Sequence, residues 1–211
     1  GREALGCDKR LRSVLRAAYG ESRGEVVLAN TLGVIVGERG TSASVGMSGL
    51  CEEGGETQVG SAFHSARGGA ALDFSRVARD AAWRSTALLR SRKLPGGRRS
   101  VVIDPWVAGE LLDLISSLLA ADQVQRGKSL LAGKLGNKVA SDQVRLVDDP
   151  RRIGGLASSL FDDEGVPTRA KTMVDKGVVR EFFYDTYTAN RDGRAGNASA
   201  SRGSFKGLPG P

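Results

Sequence analysis

The segment RAKTMVDKGVVREFFYD, Arg169–Asp185, constrains the fold more than any other stretch of the chain. Two apolar-rich runs flank Asp175-Lys176-Gly177, with glycine where a left-handed residue is needed. The pattern predicts a β-hairpin with a three-residue loop, and hence an antiparallel sheet. Residues 11–72 read as a β-meander, with SVLRAAY, EVVLAN, GVIVGE and TSASVGMSG as short strand candidates split by Gly, Asn and Glu. QVRLVDDP reads as a strand running into a turn, because Pro150 stops regular pairing.

Two segments carry a helical period. Over residues 74–90, Phe74, Val77, Ala78, Ala81, Ala82, Leu88 and Leu89 share one face, and Asp73 is the expected N-cap. A short strand, Ser100–Ile103, then leads into a second helix that starts with Asp104 as cap and Pro105 at the first position. Val107, Leu111, Leu114, Ile115 and Leu118 form its apolar stripe, which is expected to be core. QVQRGKSLLAGKLGNKVAS is irregular and glycine-spaced, and TYTANRDG predicts a short helical turn ending at Gly193. The fold class is α+β: an antiparallel β-meander and hairpins with two main amphipathic helices. The expected organisation is meander plus helix over 1–93, a basic linker at 94–99, a strand–helix–hairpin region over 100–193, and a flexible tail over 194–211. The opening GREALG and the closing KGLPGP lack a terminating element and read as the ends of a fragment.

The composition narrows the function classes. With 211 residues, 40% of them hydrophobic, the chain can build a real core. No apolar run is long enough to cross a bilayer and the N-terminus is not a signal peptide, so a cytoplasmic protein without membrane contact is expected. Cys7 and Cys51 lie far apart, outside any C-x-x-C spacing, and read as reduced thiols. The net charge of +7 would attract nucleic acid. However, the densest basic run, RSRKLPGGRR, has no aromatic to stack a base, so specific nucleic-acid binding is not expected.

Several chemistries lack their residues. The single histidine, His64, cannot build a zinc site alone, and Cys51 with Glu52 and Glu53 makes only a non-specific constellation with it. AGKLGNK fails the phosphate-loop spacing, and no G-x-S-x-G elbow is present. The acidic run in FDDEGVPTR is more suggestive. Adjacent side chains of an extended chain point in opposite directions, so Asp162, Asp163 and Glu164 converge on one ion only if the loop bends. Calcium loops alternate their acids, and DDEG does not. The favoured reading is a structural clamp: acids accepting backbone N–H bonds, Gly165 in a left-handed conformation, and Arg126 and Arg169 available as ion-pair partners. A loop lining a peptide cleft, with Arg126 and Ser129 of QRGKS as further rim or support residues, is the intermediate reading.

The order of VVIDPWVAGELLDLISSLLA, RGKSLLAGKLGNKVAS, VRLVDDP, FDDEGVPTR, MVDKGVVREFFYDTYTA and GNASASR resembles the TldD/PmbA family, the so-called modulators of DNA gyrase. The resemblance spans about Val101–Arg202 and extends more weakly through the meander and first helix. It implies a role in proteolysis or peptide maturation. Catalytic members carry H-E-x-x-x-H, two zinc-binding imidazoles and a water-activating glutamate, on the helix after the VVID-like strand. Here those three positions are Asp113, Leu114 and Leu118. The resemblance therefore points to the PmbA-type (TldE-type) partner, with no catalytic residue, metal or cofactor in this chain and zinc only in a catalytic partner. It implies as partners a TldD-like catalytic subunit or a homo-oligomer, and an extended or unfolded peptide held by exposed strand edges. The alternatives are a DNA- or gyrase-associated binding module, and a metal-dependent hydrolase using Asp113, Asp162, Asp163 and Glu164 to hold magnesium or calcium.

Overall fold

The structure is a computed structural model and describes residues 2–203 and 207–211. It divides into two compact units, one of residues 1–25 and 39–99, the other of residues 26–38 and 100–211. Among the described residues, two antiparallel three-stranded sheets and five α-helices make an α+β fold, as the sequence leads one to expect.

The first unit opens with α1 (Arg2–Cys7) and is built on β1 (Leu11–Ala29), β2 (Ile35–Glu53) and β3 (Glu56–Ala66), in the order β1-β2-β3. The four short strand candidates of residues 11–49 are in fact two long strands, each shared by both units. Gly20 and Gly24 do not break β1, because ladder pairing with β2 outweighs their weak strand preference. The chain reverses at Asn30, whose Oδ1 accepts from the N–H groups of Leu32 and Val34 at 2.9 and 3.1 Å. It reverses again at Gly54-Gly55, where both residues have positive φ and Glu53 pairs with Glu56.

Helix α2 (Phe74–Ala87) covers one face of this sheet. Asp73 caps it, accepting from Arg76 N–H at 2.8 Å, and His64 Nδ1 accepts from Asp73 N–H at 3.0 Å. Val77, Ala78, Ala81 and Ala82 pack with Leu11, Met47, Cys51 and Ala62 into the unit's core, while Phe74 and Leu88 stay about half exposed. The approach is close because the facing residues are small. A Cβ built on Gly60 would lie 2.1 Å from Ser85 N, and Ser85 Oγ donates to Gly49 O at 2.9 Å. The thiol of Cys51 donates to Ser85 O, and both cysteines are free.

The second unit contains α3 (Pro105–Leu118), α4 (Ala121–Gln125), β4 (Leu146–Asp148), β5 (Lys171–Asp175), β6 (Val178–Val179) and α5 (Thr186–Arg191), with strand order β4-β5-β6. The β5–β6 hairpin is present, but Asp175 pairs with Val178, so its loop has two residues, not three. Lys176 and Gly177 take φ of 48° and 74°, the left-handed pair that matches strand twist. The core consists of Leu119, Ala121, Met173, Val179, Phe182, Tyr184 and Ala189.

Three expectations fail in this unit. Ser100–Ile103 is not a strand, and Val102 is 99% exposed. Helix α3 forms where expected, with Asp104 Oδ1 accepting from Trp106 N–H, yet none of its residues is buried. Its apolar period defines a face, but among the described residues no element covers that face, so Leu114 and Leu118 are not core. The expected tail is not uniformly loose either. Asn197, Ala198 and Ala200 are buried, and residues 204–206 lie outside the described residues.

Candidate functional site

The acidic segment folds back on itself. Phe161 and Pro167 form an antiparallel bridge, Asp162 N–H donates to Val166 O at 2.9 Å, and Gly165 N–H donates to Asp162 O at 2.9 Å. Gly165 turns the chain at φ +83°, and a Cβ there would stand 3.0 Å from both Leu28 and Val34. Nearby, Glu38 accepts from Leu160 N–H at 2.7 Å and from Ser159 Oγ at 2.8 Å.

Each of the three acids faces its own donors. Buried Asp162 takes Glu164 N–H and Val166 N–H on Oδ1, at 3.0 and 2.9 Å, and Ala200 N–H on Oδ2 at 3.1 Å. Asp163 Oδ2 accepts from Arg202 N–H at 2.6 Å. Glu164 Oε2 accepts from the N–H and hydroxyl of Thr186 at 2.9 and 2.6 Å. Short carboxylates here complete a turn and tie it to residues 200–202 and to the start of α5. The expected arginine partners are elsewhere: Arg126 pairs with Asp122, and Arg169 with Glu181. The Ser129 hydroxyl donates to Leu118 O at 2.6 Å and accepts from Leu131 N–H at 3.0 Å.

Sequence reasoning missed a second knot of buried polar groups. Lys171 sits on β5 with its side chain fully buried. Its Nζ donates to Asn197 O, Ala198 O and Ser199 Oγ at 3.0, 3.1 and 2.9 Å, and lies 2.9 Å from Asp148 Oδ2. Asn197 Nδ2 in turn donates to Glu181 Oε1 and Phe182 O, and its Oδ1 accepts from Tyr184 N–H and Ser199 Oγ. Ala198 is held at φ +56°, a conformation a non-glycine residue keeps only when its surroundings fix it. Burial, reinforced by donation to Asp192 Oδ2 at 2.9 Å, pushes the Tyr184 phenol up to about 12. The signal in the sequence was a lysine on the inward side of an apolar strand run, followed downstream by the small-residue run GNASAS.

The positions aligned with the zinc motif lie on α3. Asp113 and Leu114 are exposed and Leu118 is half-buried. One carboxylate and two hydrocarbon side chains do not fit the ligand set of a zinc peptidase. Among the described residues, no three His, Cys, Asp or Glu side chains converge on a point where an ion would sit. The arrangement can hold backbone in place.

Comparison with known proteins matches residues 96–211 to the PmbA/TldA metallopeptidase C-terminal domain and residues 2–89 to the central domain of the same family. Metalloprotease PmbA of Escherichia coli O157:H7 is 27% identical, covering 90% of this chain and 42% of that protein. The solved structure of TldE from Thermococcus kodakarensis is 26% identical with a TM-score of 0.83, covering 99% of this chain and 47% of the other. A Bacteroides thetaiotaomicron structure named as a modulator of DNA gyrase is 29% identical with a TM-score of 0.86, covering 95% and 46%. The chain thus spans less than half the length of these relatives.

Proposed function

This chain belongs to the PmbA/TldD metallopeptidase family, and from that premise we propose that it is a PmbA-type (TldE-type) non-catalytic member of a cytoplasmic peptide-processing system. The zinc and the hydrolytic step belong to a TldD-type partner. This chain supplies cleft wall and support around an extended peptide. One observation carries the reading: Asp113, Leu114 and Leu118 occupy the positions where a catalytic relative needs two imidazoles and a glutamate. The committed hydrogen bonds of Asp162, Asp163 and Glu164 support a supporting role for that loop. Main-chain pairing at a free strand edge, such as β4 with exposed Val147, would accept peptides of many sequences.

The test is zinc analysis and a peptidase assay on this chain alone, then with a zinc-bearing TldD-type relative. No stoichiometric zinc and no cleavage alone, with faster cleavage by the mixture than by the relative alone, is the expected result. Tight stoichiometric zinc with chelator-sensitive cleavage by this chain overturns it. The DNA-associated alternative rests on the +7 charge, and its densest basic run, residues 90–99, is exposed. Binding that weakens steeply with salt would favour it.

A further inference from the structure

The basic run Arg92–Arg99 is built as an endopeptidase would need it. Residues 91–103 lie outside helix and strand, and all are exposed. Among the described residues, no backbone–backbone hydrogen bond holds positions 92–103. The cations are free as well: none of Arg92, Lys93, Arg98 and Arg99 has an ion-pair partner among the described residues, and Arg99 makes one surface bond, to Pro95 O at 3.2 Å. Between Asp80 and Asp104 the chain carries no Asp or Glu. A protease with an acidic primary pocket takes a cation beside the cut, and a carboxylate nearby would oppose it. Gly96 and Gly97 leave the chain free to enter such a cleft extended.

A second diarginine pair shows what the run lacks. Arg151 and Arg152 are exposed too, but Asp148 and Asp149 precede them. Their backbone is tied into a turn: Arg151 N–H donates to Asp149 Oδ1 at 3.1 Å, and Arg152 O accepts from Gly155 N–H and Ser158 Oγ at 3.1 and 2.6 Å. Cleavage there must wait for local opening, whereas at 92–99 nothing has to open.

A cut in this run would not free the two pieces. Residues 26–38 precede it in sequence but belong to the second unit. Within that unit Glu38 accepts from Leu160 N–H and Ser159 Oγ at 2.7 and 2.8 Å, and Leu28 and Val34 stand against Gly165. The N-terminal piece therefore carries a part of the second unit's packing with it.

We infer that Arg92–Arg99 is a processing site for an arginine- or lysine-directed endopeptidase, and that the nicked chain stays together as one particle. Hydrolysis adds water across one peptide bond: the carbonyl carbon of the arginine or lysine gains the hydroxyl, and the released nitrogen takes the proton. The inference goes beyond the peptidase reading and needs neither zinc nor a peptide cleft. Trypsin at low ratio on the 211-residue chain, followed by mass spectrometry, should place the first cut after Arg92, Lys93, Arg98 or Arg99, and the pieces should co-elute in gel filtration. Glutamine at all four positions should slow loss of the intact chain about tenfold, and Arg151→Gln with Arg152→Gln should leave it unchanged. Glu38→Ala, cut as fast as the parent, should lower the urea concentration at which the pieces part. The parent digest needs no substitution, so it decides the matter even if a variant folds poorly. A first cut elsewhere, a four-site variant digested as fast as the parent, or pieces that separate without denaturant overturns the inference.

Discussion

Replacing Asp162 by alanine should destabilise the protein by about 3–5 kcal/mol. The carboxylate accepts three backbone N–H bonds of 2.9–3.1 Å, and a hydrogen bond to a charged group contributes roughly 1.5–3 kcal/mol. The sum is discounted because Glu164 and Val166 lie near enough to solvent for water to replace part of the loss. Ala200 is buried, and its N–H would be left without its acceptor. Asp162→Asn retains one oxygen for the Glu164 and Val166 donors but turns an amide group toward Ala200 N–H, for a loss of about 1–3 kcal/mol. Asp163→Asn touches only one bond, to Arg202, and should cost under ~1 kcal/mol. Urea unfolding followed by far-ultraviolet dichroism measures the three values in one series. Amide exchange at Ala200 supplies the local readout and should accelerate in both Asp162 variants. A loss below ~1 kcal/mol for Asp162→Ala, or a costlier Asp163 substitution, would refute the clamp. A stable Asp162→Asn variant that had lost a measured reaction would return the loop to chemistry.

Lys171→Met keeps the aliphatic stem and deletes the ammonium that faces Asp148 and two buried carbonyls, so a loss of about 3–5 kcal/mol in the same unfolding assay is expected. Leu114→Glu, on the uncovered face of α3, should change stability by less than ~0.5 kcal/mol; a loss of several times that would mean the face is packed. Burial pushes the Tyr184 phenol up from its ordinary value of 10.0 to about 12, so its contribution is complete below pH 10 and is lost as pH rises through about 12. A late phenolate absorbance step that disappears in Tyr184→Phe checks this. Asp8, held near 2 by its hydrogen bond to the Arg10 guanidinium, acts in the opposite direction. Its small contribution is present above pH 3.8 and is lost as pH falls through about 2, as a carboxyl chemical-shift titration would show.

The parts of the fold legible in the sequence were those fixed by local rules. Asp73, and Asp104 with Pro105, mark helix starts because a side-chain oxygen and a missing N–H suit the first turn, and both helices begin there. Glycine did not mark strand ends at positions 20 and 24, because cross-strand pairing decides that and one strand's sequence does not contain it. The stripe on α3 showed the same gap: a period of Val107, Leu111 and Ile115 specifies a face but not what lies against it. At the acidic loop the turn at Gly165 was legible and the partners of the carboxylates were not. Arg126 and Arg169 carry the complementary charge, whereas the observed donors are backbone groups at Ala200, Arg202 and Thr186. Lys171 was hidden by its type, since lysine ordinarily counts as surface.

At Gly60 the strand meets the backbone of Ser85 with no room for even a methyl group. The missing atom acts as a gauge block that sets how low the helix may ride over the sheet. Alanine there cannot be absorbed by turning a rotamer, because what it strikes is main chain. Drift elsewhere on α2 can be answered by a compensating neighbour, but position 60 has no such neighbour. Among substitutions across this face, it should be the one that no second-site change rescues.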